Sequence, residues 1–319
     1  MSMKPITLSL NPSYHCNFRC DFCYLTEEQL ADRRRISLEK LDQRMSEIPE
    51  IKYLDMYGGE IGLMRPEIFY DYKNVIRKYY DGEINIITNL SMLQDYFFDD
   101  DVYLSVSYDF DAREKSDIVF QNMMFSTKPI AVLVLASPNV LAMDVDSMIH
   151  QLNMIKSIES VEIKPYSTNQ ANAHNVTHND FEEFVKKWIT SKVRKKFDFI
   201  NKLKLVESID GYYNAFSDDH VYITPNGNFG VLEFDRNDNE YFLELDNYDE
   251  YIKWTEKEKL GLSPICQVCP YKGRCLTEHY RYVTDLTNGC NGYRGLIEWY
   301  EVMEGQTRDI PSFNPNFHR

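Results

Sequence analysis

Cys16, Cys20 and Cys23 stand in the run CNFRCDFCY and place three thiols at CxxxCxxC spacing. A closed four-iron cubane takes four protein ligands, so a loop that gives three leaves one iron open to a small molecule. Structural zinc sites use four ligands, usually in two separated CxxC-like pairs, which makes zinc the weaker reading of this triplet. Near the other end, Cys266-x2-Cys269-x5-Cys275 and then Cys290 bring four thiols into one stretch. Four thiolates complete a zinc site or a closed four-iron cluster, and spacing alone does not choose between them.

Three further groups carry small or polar residues where a ligand would sit. Gly58-Gly59-Glu60 joins two residues that let backbone approach a ligand to a carboxylate that accepts from an ammonium. Taken alone it is equally a glycine turn with a solvated acid. Thr88-Asn89 and Ser105-Val106-Ser107-Tyr108-Asp109 end apolar runs. Ser107 and Asp109 alternate on one side of a strand end, so both either reach a ribose or cap the strand.

The elements that must position these residues read as β-branched runs alternating with helical stretches, from residue 5 to about residue 200. That is the pattern of βα units on a parallel sheet. Strands are predicted at Ile6 to Leu10, Ile51 to Tyr57, Glu83 to Thr88, Val102 to Tyr108, Ile130 to Leu135 and Val161 to Pro165. Six strands fit a partial (β/α)6 TIM-type barrel better than a closed eight, and ligands of such barrels sit at the carboxyl ends of strands. The three-cysteine run follows the first strand, as this requires. Helices are expected from Ser37, from Pro66 and after Asp144. A helical region of about Asp180 to Phe199 closes the unit.

Beyond it, VYITPNGNFGVLEF reads as a β-hairpin turning at Asn226-Gly227. The expected division is an α/β barrel over 1–200 and a small α+β unit over 201–319 that carries the four late cysteines, with the tail GQTRDIPSFNPNFHR as a loose end. The chain has 319 residues and a net charge of −15. That charge argues against a broad phosphate-binding face, so no nucleic-acid partner is expected, and the basic runs Arg33 to Arg35 and Lys192 to Lys196 read as solvated faces. No stretch is apolar enough for a secretory signal or a membrane span, which points to the cytoplasm. Seven cysteines in a reducing compartment read as metal ligands instead of disulfides.

Taken in order, these motifs resemble the radical S-adenosylmethionine (SAM) enzymes over roughly the first 165 residues. The resemblance implies a SAM-binding [4Fe-4S] cluster on Cys16, Cys20 and Cys23, with Phe22 near the adenine. It implies Gly58, Gly59 and Glu60 at the methionyl amino group, and Asn89, Ser105, Ser107 and Asp109 among the remaining SAM contacts. The chemistry implied is one-electron reduction of SAM at the open iron, giving a 5′-deoxyadenosyl radical that abstracts a substrate hydrogen. A low-potential donor such as flavodoxin or ferredoxin would supply the electron.

From about Phe216 to Tyr300 the chain resembles the SPASM/twitch extension of that family. It departs from the full pattern: the hairpin has no cysteine, and His279 stands where a further cysteine is expected. The resemblance then implies one auxiliary [4Fe-4S] cluster, on Cys266, Cys269, Cys275 and Cys290. With four thiolates it has no open iron, and its work would be to accept an electron from a substrate radical. Oxidative modification of a ribosomally made peptide, such as a crosslink, is the leading expectation. The sequence enters the first barrel strand directly, with no leader-recognition domain ahead of it, which leaves room for a small alcohol, sugar or amino acid, or for epimerisation. Oxidation must also release a proton, and Asp109, Lys164, Tyr166 and His279 are the candidate bases or substrate contacts. His279 is equally a ligand or a structural histidine. The rival classes are a zinc-binding structural module and a catalytically inactive relative kept for interaction.

Overall fold

The computed structural model describes residues 4–166, 176–216, 218–232, 242–260, 264–275 and 293–306. Strand β1 (Ile6–Leu10) leads through α1 (Glu27–Ala31) and α2 (Leu38–Glu47) to β2 (Ile51–Met56), and α3 (Pro66–Ile76) leads on to β3 (Ile84–Thr88). A single 3-10 turn, Asp95–Phe98, replaces the crossover helix before β4 (Val102–Ser107). Then come α4 (Ser116–Phe125), β5 (Ile130–Leu135), α5 (Pro138–Leu141), α6 (Val145–Leu152) and β6 (Ile158–Lys164). These six strands lie side by side in chain order, every neighbouring pair parallel. This is the expected partial barrel.

Helix starts follow local chemistry. Ser37 accepts the Lys40 amide ahead of α2, Pro66 occupies the first turn of α3, and Asp144 accepts the Ser147 amide ahead of α6. Each satisfies, or removes, an amide that the first turn leaves without an intrahelical partner. One expectation is corrected. The helix predicted to run to Phe199 is α7 (His178–Thr190), followed by the short strand β7 (Asp198–Phe199) and a new helix, α8 (Ile200–Asp210). The break has a side-chain cause: Asn153, just past α6, bonds both the Arg194 carbonyl and the Lys196 amide, which takes this backbone out of helical pairing.

The predicted hairpin is β8 (His220–Ile223) and β9 (Phe229–Leu232), antiparallel and turning through Gly227 at φ +79°. Its place in the molecule is the unexpected part. Strand β8 pairs parallel with β1, so hairpin and barrel share one ten-stranded sheet, ordered β10-β9-β8-β1-β2-β3-β4-β5-β6-β7, with β10 spanning Phe242–Leu245. Helices α9 (Tyr248–Leu260), α10 (Pro264–Gln267) and α11 (Arg294–Gln306) follow.

Strand alternation divides the sheet into two environments. Leu8 and Leu10 on β1, Leu54 and Met56 on β2, and Val132 and Val134 on β5 are buried in the apolar core. Their alternates Thr7 and Ser9, Asp55 and Tyr57, and Leu133 and Leu135 line an interior cavity. The period of two thus sends apolar residues toward the helices and a mixed polar set inward. Fully burying each Leu, Ile or Val contributes about 1.5–3 kcal/mol, so the outward set carries stability and leaves the inward set open to other uses.

Candidate functional site

At the carboxyl ends of the strands lies a cavity of about 520 Å³, within the range of small-molecule sites. It gathers Cys16, Cys20, Cys23, Phe22, Gly58, Gly59, Asn89, Ser107, Asp109, Lys164 and Tyr166. Residues from five separate stretches of sequence therefore meet in one place. Glu60 and Ser105 do not line it. Cys266, Cys269 and Cys275 lie elsewhere, and His279 and Cys290 fall outside the described residues.

The cysteine loop is locked to the glycine pair by backbone. Gly59 N donates to Ser13 O at 3.0 Å and Glu60 N to His15 O at 2.8 Å. A Cβ on Gly59 would fall 2.2 Å from His15 O and 2.3 Å from Tyr14 O, closer than any side chain can be placed. Gly58 has φ +153°, and a Cβ there would meet Ser13 O at 2.4 Å. Glycine is required here because two loops touch backbone to backbone.

Glu60 has a different place from the one expected of it. Its carboxylate accepts Gly62 N at 2.6 Å, Thr88 Oγ1 at 2.6 Å and Asn89 N at 2.7 Å, all under the cavity wall. Burial pushes its pKa up, against the pull of these three donors. It fastens the β3 end to the glycine turn. Ser105 likewise turns to Asn85, 2.9 Å away. Asn89 stays at the wall, donating to Asn17 at 3.0 Å on the cysteine loop.

Each sulfur of the triplet has an N–H donor. Phe18 N lies 3.4 Å from Cys16 Sγ, Leu25 N 3.4 Å from Cys23 Sγ, and Arg113 Nη1 3.8 Å from Cys20 Sγ. Burial nevertheless pushes Cys16 up to about 11, Cys20 up to about 12, and Cys23 above its usual range. Such thiols ionise at neutral pH only when a bound cation stabilises the thiolates. Among the described residues no three His, Cys, Asp or Glu groups converge as a set for a single metal ion. Three spaced thiols with amide donors, beside a glycine cradle, fit an iron-sulfur cluster with an exchangeable ligand.

Arg113 was missed by sequence reasoning. Its guanidinium is held by Asp109, at 2.7 Å from Nε and 2.5 Å from Nη2, and lies 5.3 Å over the Phe22 ring. Asp109 also accepts Leu135 N at 2.5 Å, so both its oxygens are engaged and it fits a clamp on Arg113 better than a base. The available signal was the i, i+4 spacing of Asp109 and Arg113 just after a strand end. Tyr166 is pushed up to about 12 by burial, so it keeps its proton and fits a hydrogen-bond donor instead of a base. Lys164 pairs with Glu162 at 3.1 Å. Ser9, Asp55 and His220 also line the cavity, and nothing in their sequence neighbourhood marked them.

The late cysteines have another setting. Cys266 and Cys275 are buried in a short coil in which Cys269 N donates to Cys266 O at 3.3 Å. The coil is fastened to α8: Arg274 Nη1 donates to Ile209 O at 2.5 Å, and Ser208 Oγ donates to Arg274 O. Tyr271 reaches Glu301 of α11 at 2.7 Å.

No family model matches the chain, and no curated protein matches it. Solved structures do. One is anSMEcpe with bound AdoMet (SAM), at a TM-score of 0.65 and 14% identity over 95% of this chain and 98% of that one. Another is the same protein with AdoMet and the Kp18Cys peptide, at 0.62 and 14%, with 95% and 98% covered. A third is SuiB of Streptococcus suis bound to precursor peptide SuiA, at 0.59 and 15%, with 85% of this chain and 71% of that one covered. At these identities the likeness establishes the fold alone, and that fold is the expected partial barrel.

Proposed function

We propose that the chain is a radical SAM enzyme that oxidatively modifies a peptide. The observation that carries the chemistry is the convergence of Cys16, Cys20, Cys23, Gly58 and Gly59 on one cavity, in a fold shared with AdoMet-bound structures. When bound, a [4Fe-4S] cluster and SAM supply one-electron cleavage of SAM and hydrogen abstraction from the substrate. The three cysteines hold the cluster. The Gly58-Gly59 backbone, Asn89, Ser107 and Phe22 would contact SAM, and Arg113, 3.8 Å from Cys20 Sγ, would keep a positive charge beside the cluster's ligands. Five tyrosines, Tyr24, Tyr57, Tyr166, Tyr213 and Tyr222, line the rest of the cavity and limit water around the reacting atoms.

The peptide assignment draws support from structures of the same fold that hold peptides. The cavity is about 520 Å³, so a peptide would present a single residue to it. That same size favours a small alcohol, sugar or amino acid as the second reading. Cys266, Cys269 and Cys275, with Cys290, would hold an auxiliary [4Fe-4S] cluster as electron acceptor, and a flavodoxin or ferredoxin would reduce the first cluster. We assign residues 201–319 to this auxiliary unit, joined to the barrel of 1–200 through the shared sheet.

The test is anaerobic purification with iron and sulfide analysis, then incubation with SAM and dithionite. Formation of 5′-deoxyadenosine is expected; colourless protein with stoichiometric zinc overturns the reading. Added peptide pools separate the substrates, because oxidation of a peptide lowers its mass by two hydrogens. Among the described residues no helix is long and apolar enough to cross a membrane.

A further inference from the structure

Arg19, Lys115 and Arg113 all stand at the cysteine loop, and they differ in what surrounds the charge. Arg19 and Lys115 are exposed, the first donating to Cys16 O at 2.9 Å and the second placed 5.5 Å over the Phe18 ring. Arg113 turns inward. Its side chain is only 13% exposed and lines the cavity, and its Nη1 donates to Cys20 Sγ at 3.8 Å. Exposed charges are screened within about 10 Å at ordinary salt, whereas a buried one keeps most of its field.

The fold holds the guanidinium at that sulfur. Strand β4 ends at Ser107, and a 3-10 turn, Phe110–Ala112, follows with Phe110 at φ +52°. In this turn Ala112 N donates to Asp109 O at 3.1 Å and Arg113 N to Phe110 O at 3.2 Å, which brings the two charged side chains together. Nε donates to Asp109 Oδ2 at 2.7 Å and Nη2 to the same oxygen at 2.5 Å. The other oxygen, Oδ1, accepts Leu135 N of β5 at 2.5 Å. One edge of the guanidinium is thus fixed by a carboxylate anchored to the neighbouring strand, and the remaining nitrogen, Nη1, meets the sulfur. The cation stands between Asp109 and Cys20.

Adding an electron to an iron-sulfur cluster makes it more negative, so hydrogen bonds to its sulfurs and a nearby positive charge favour the reduced form. A guanidinium keeps its proton and has no lone pair to offer, so here it is a donor and a fixed charge, not an acid or a base. We propose that Arg113 raises the reduction potential of the cluster held by Cys16, Cys20 and Cys23, with Asp109 as the residue that positions it. The inference rests on the iron-sulfur reading given above. In the step, a low-potential donor loses one electron and the cluster gains it; no bond to Arg113 forms or breaks. Arg19 and Lys115 contribute less, because water screens them.

The experiment is a redox titration of anaerobic, full-length protein with dithionite, followed by EPR without SAM or substrate. The signal of this cluster is the one missing in C16A. In R113Q the equilibrium constant for reduction should fall about tenfold, a potential about 59 mV more negative for one electron. R113K keeps the charge and loses the fork, and should fall by less than about threefold. Because R113Q leaves the buried Asp109 without its cation, the double variant D109N/R113Q, which has the same net charge as the wild type, is titrated beside it. There the constant should still fall at least about threefold, since the cation lies nearer the sulfur than the carboxylate does. A potential that stays in place in the double variant, or one that R113K moves as far as R113Q, overturns the proposal. Protein without iron and sulfide defeats the functional reading and this inference together; a cluster that is present and keeps its potential without Arg113 defeats the inference alone.

Discussion

The two cysteine regions differ in what surrounds the sulfur. Cys16, Cys20 and Cys23 border a cavity, and their loop is tied by backbone to the glycine pair of the next strand. Cys266, Cys269 and Cys275 sit away from that cavity in a coil fastened to helices α8 and α11. An open setting lets a small molecule reach a metal; a packed one holds a metal away from ligands and leaves it electron transfer. On the proposed reading, the same residue type would serve two purposes according to whether its neighbours are a void or a protein surface.

The largest expected effect tests this division directly. Replacing Cys16, Cys20 or Cys23 by Ala should lower 5′-deoxyadenosine formation by about a thousandfold or more, because a cubane left with two thiolates is not retained. Cys275→Ala should lower substrate oxidation at least about tenfold, while SAM cleavage without substrate falls by less than about threefold. Chromatographic assay of 5′-deoxyadenosine beside product mass measures both. Equal loss of both activities in Cys275→Ala would erase the contrast.

Arg113 and Arg274 offer a second contrast, read as stability. Arg113→Gln leaves the Asp109 carboxylate, almost wholly buried, without its cation. Breaking such a pair costs about 3–5 kcal/mol, a large share of a domain's total stability. Among the described residues Arg274 donates only to backbone carbonyls, those of Ser208, Ile209 and Pro270, so Arg274→Gln should cost about 1–1.5 kcal/mol. Urea denaturation of both variants gives the comparison. Chemical reactivity sharpens it further. In cluster-free protein at pH 8, burial holds Cys16 near 11 and Cys20 near 12, so their thiolate fraction is small. Alkylation by iodoacetamide should run about a hundredfold slower than for a free cysteine, and should accelerate as pH rises toward those values. Fast alkylation at pH 8 would show that the loop opens without its metal.

How much of this was legible in the sequence depends on the range over which each signal acts. Alternation and caps are local, so β1 and β5 lie as predicted and Ser37, Pro66 and Asp144 start their helices. The cysteine triplet and Gly58-Gly59 were legible because a ligand-binding loop needs particular residues at fixed spacing. The hairpin was legible as a hairpin, yet its pairing with β1 was not, because nothing local in His220–Ile223 encodes a partner some 210 residues earlier. The contact of Ser9 with His220, 2.8 Å apart, follows from that pairing and was hidden for the same reason. The bonds of Glu60 were hidden for a related cause. Its type suits an ammonium, and only the folded chain shows Thr88, Asn89 and Gly62 already using its oxygens.

The smallest effect expected concerns Gly273, which stands between Cys269 and Cys275 at φ +81°. There Gly273 O accepts Ala215 N at 3.0 Å, so the left-handed turn joins the coil to the segment after α8. Gly273→Ala meets the ring of Phe216, with Cε2 2.8 Å from the new Cβ, and a ring edge can move aside. The remaining cost is the left-handed backbone, about 1–2 kcal/mol. Gly59→Ala, at the cavity, would press on two backbone carbonyls that strand β1 and its loop hold in place, and should cost about 2–4 kcal/mol. Denaturant midpoints for the two variants measure the difference. A Gly273→Ala loss equal to that of Gly59→Ala would mean that the coil around the late cysteines is as tightly determined as the cavity loop, and that packing, not the cavity, sets the precision of both.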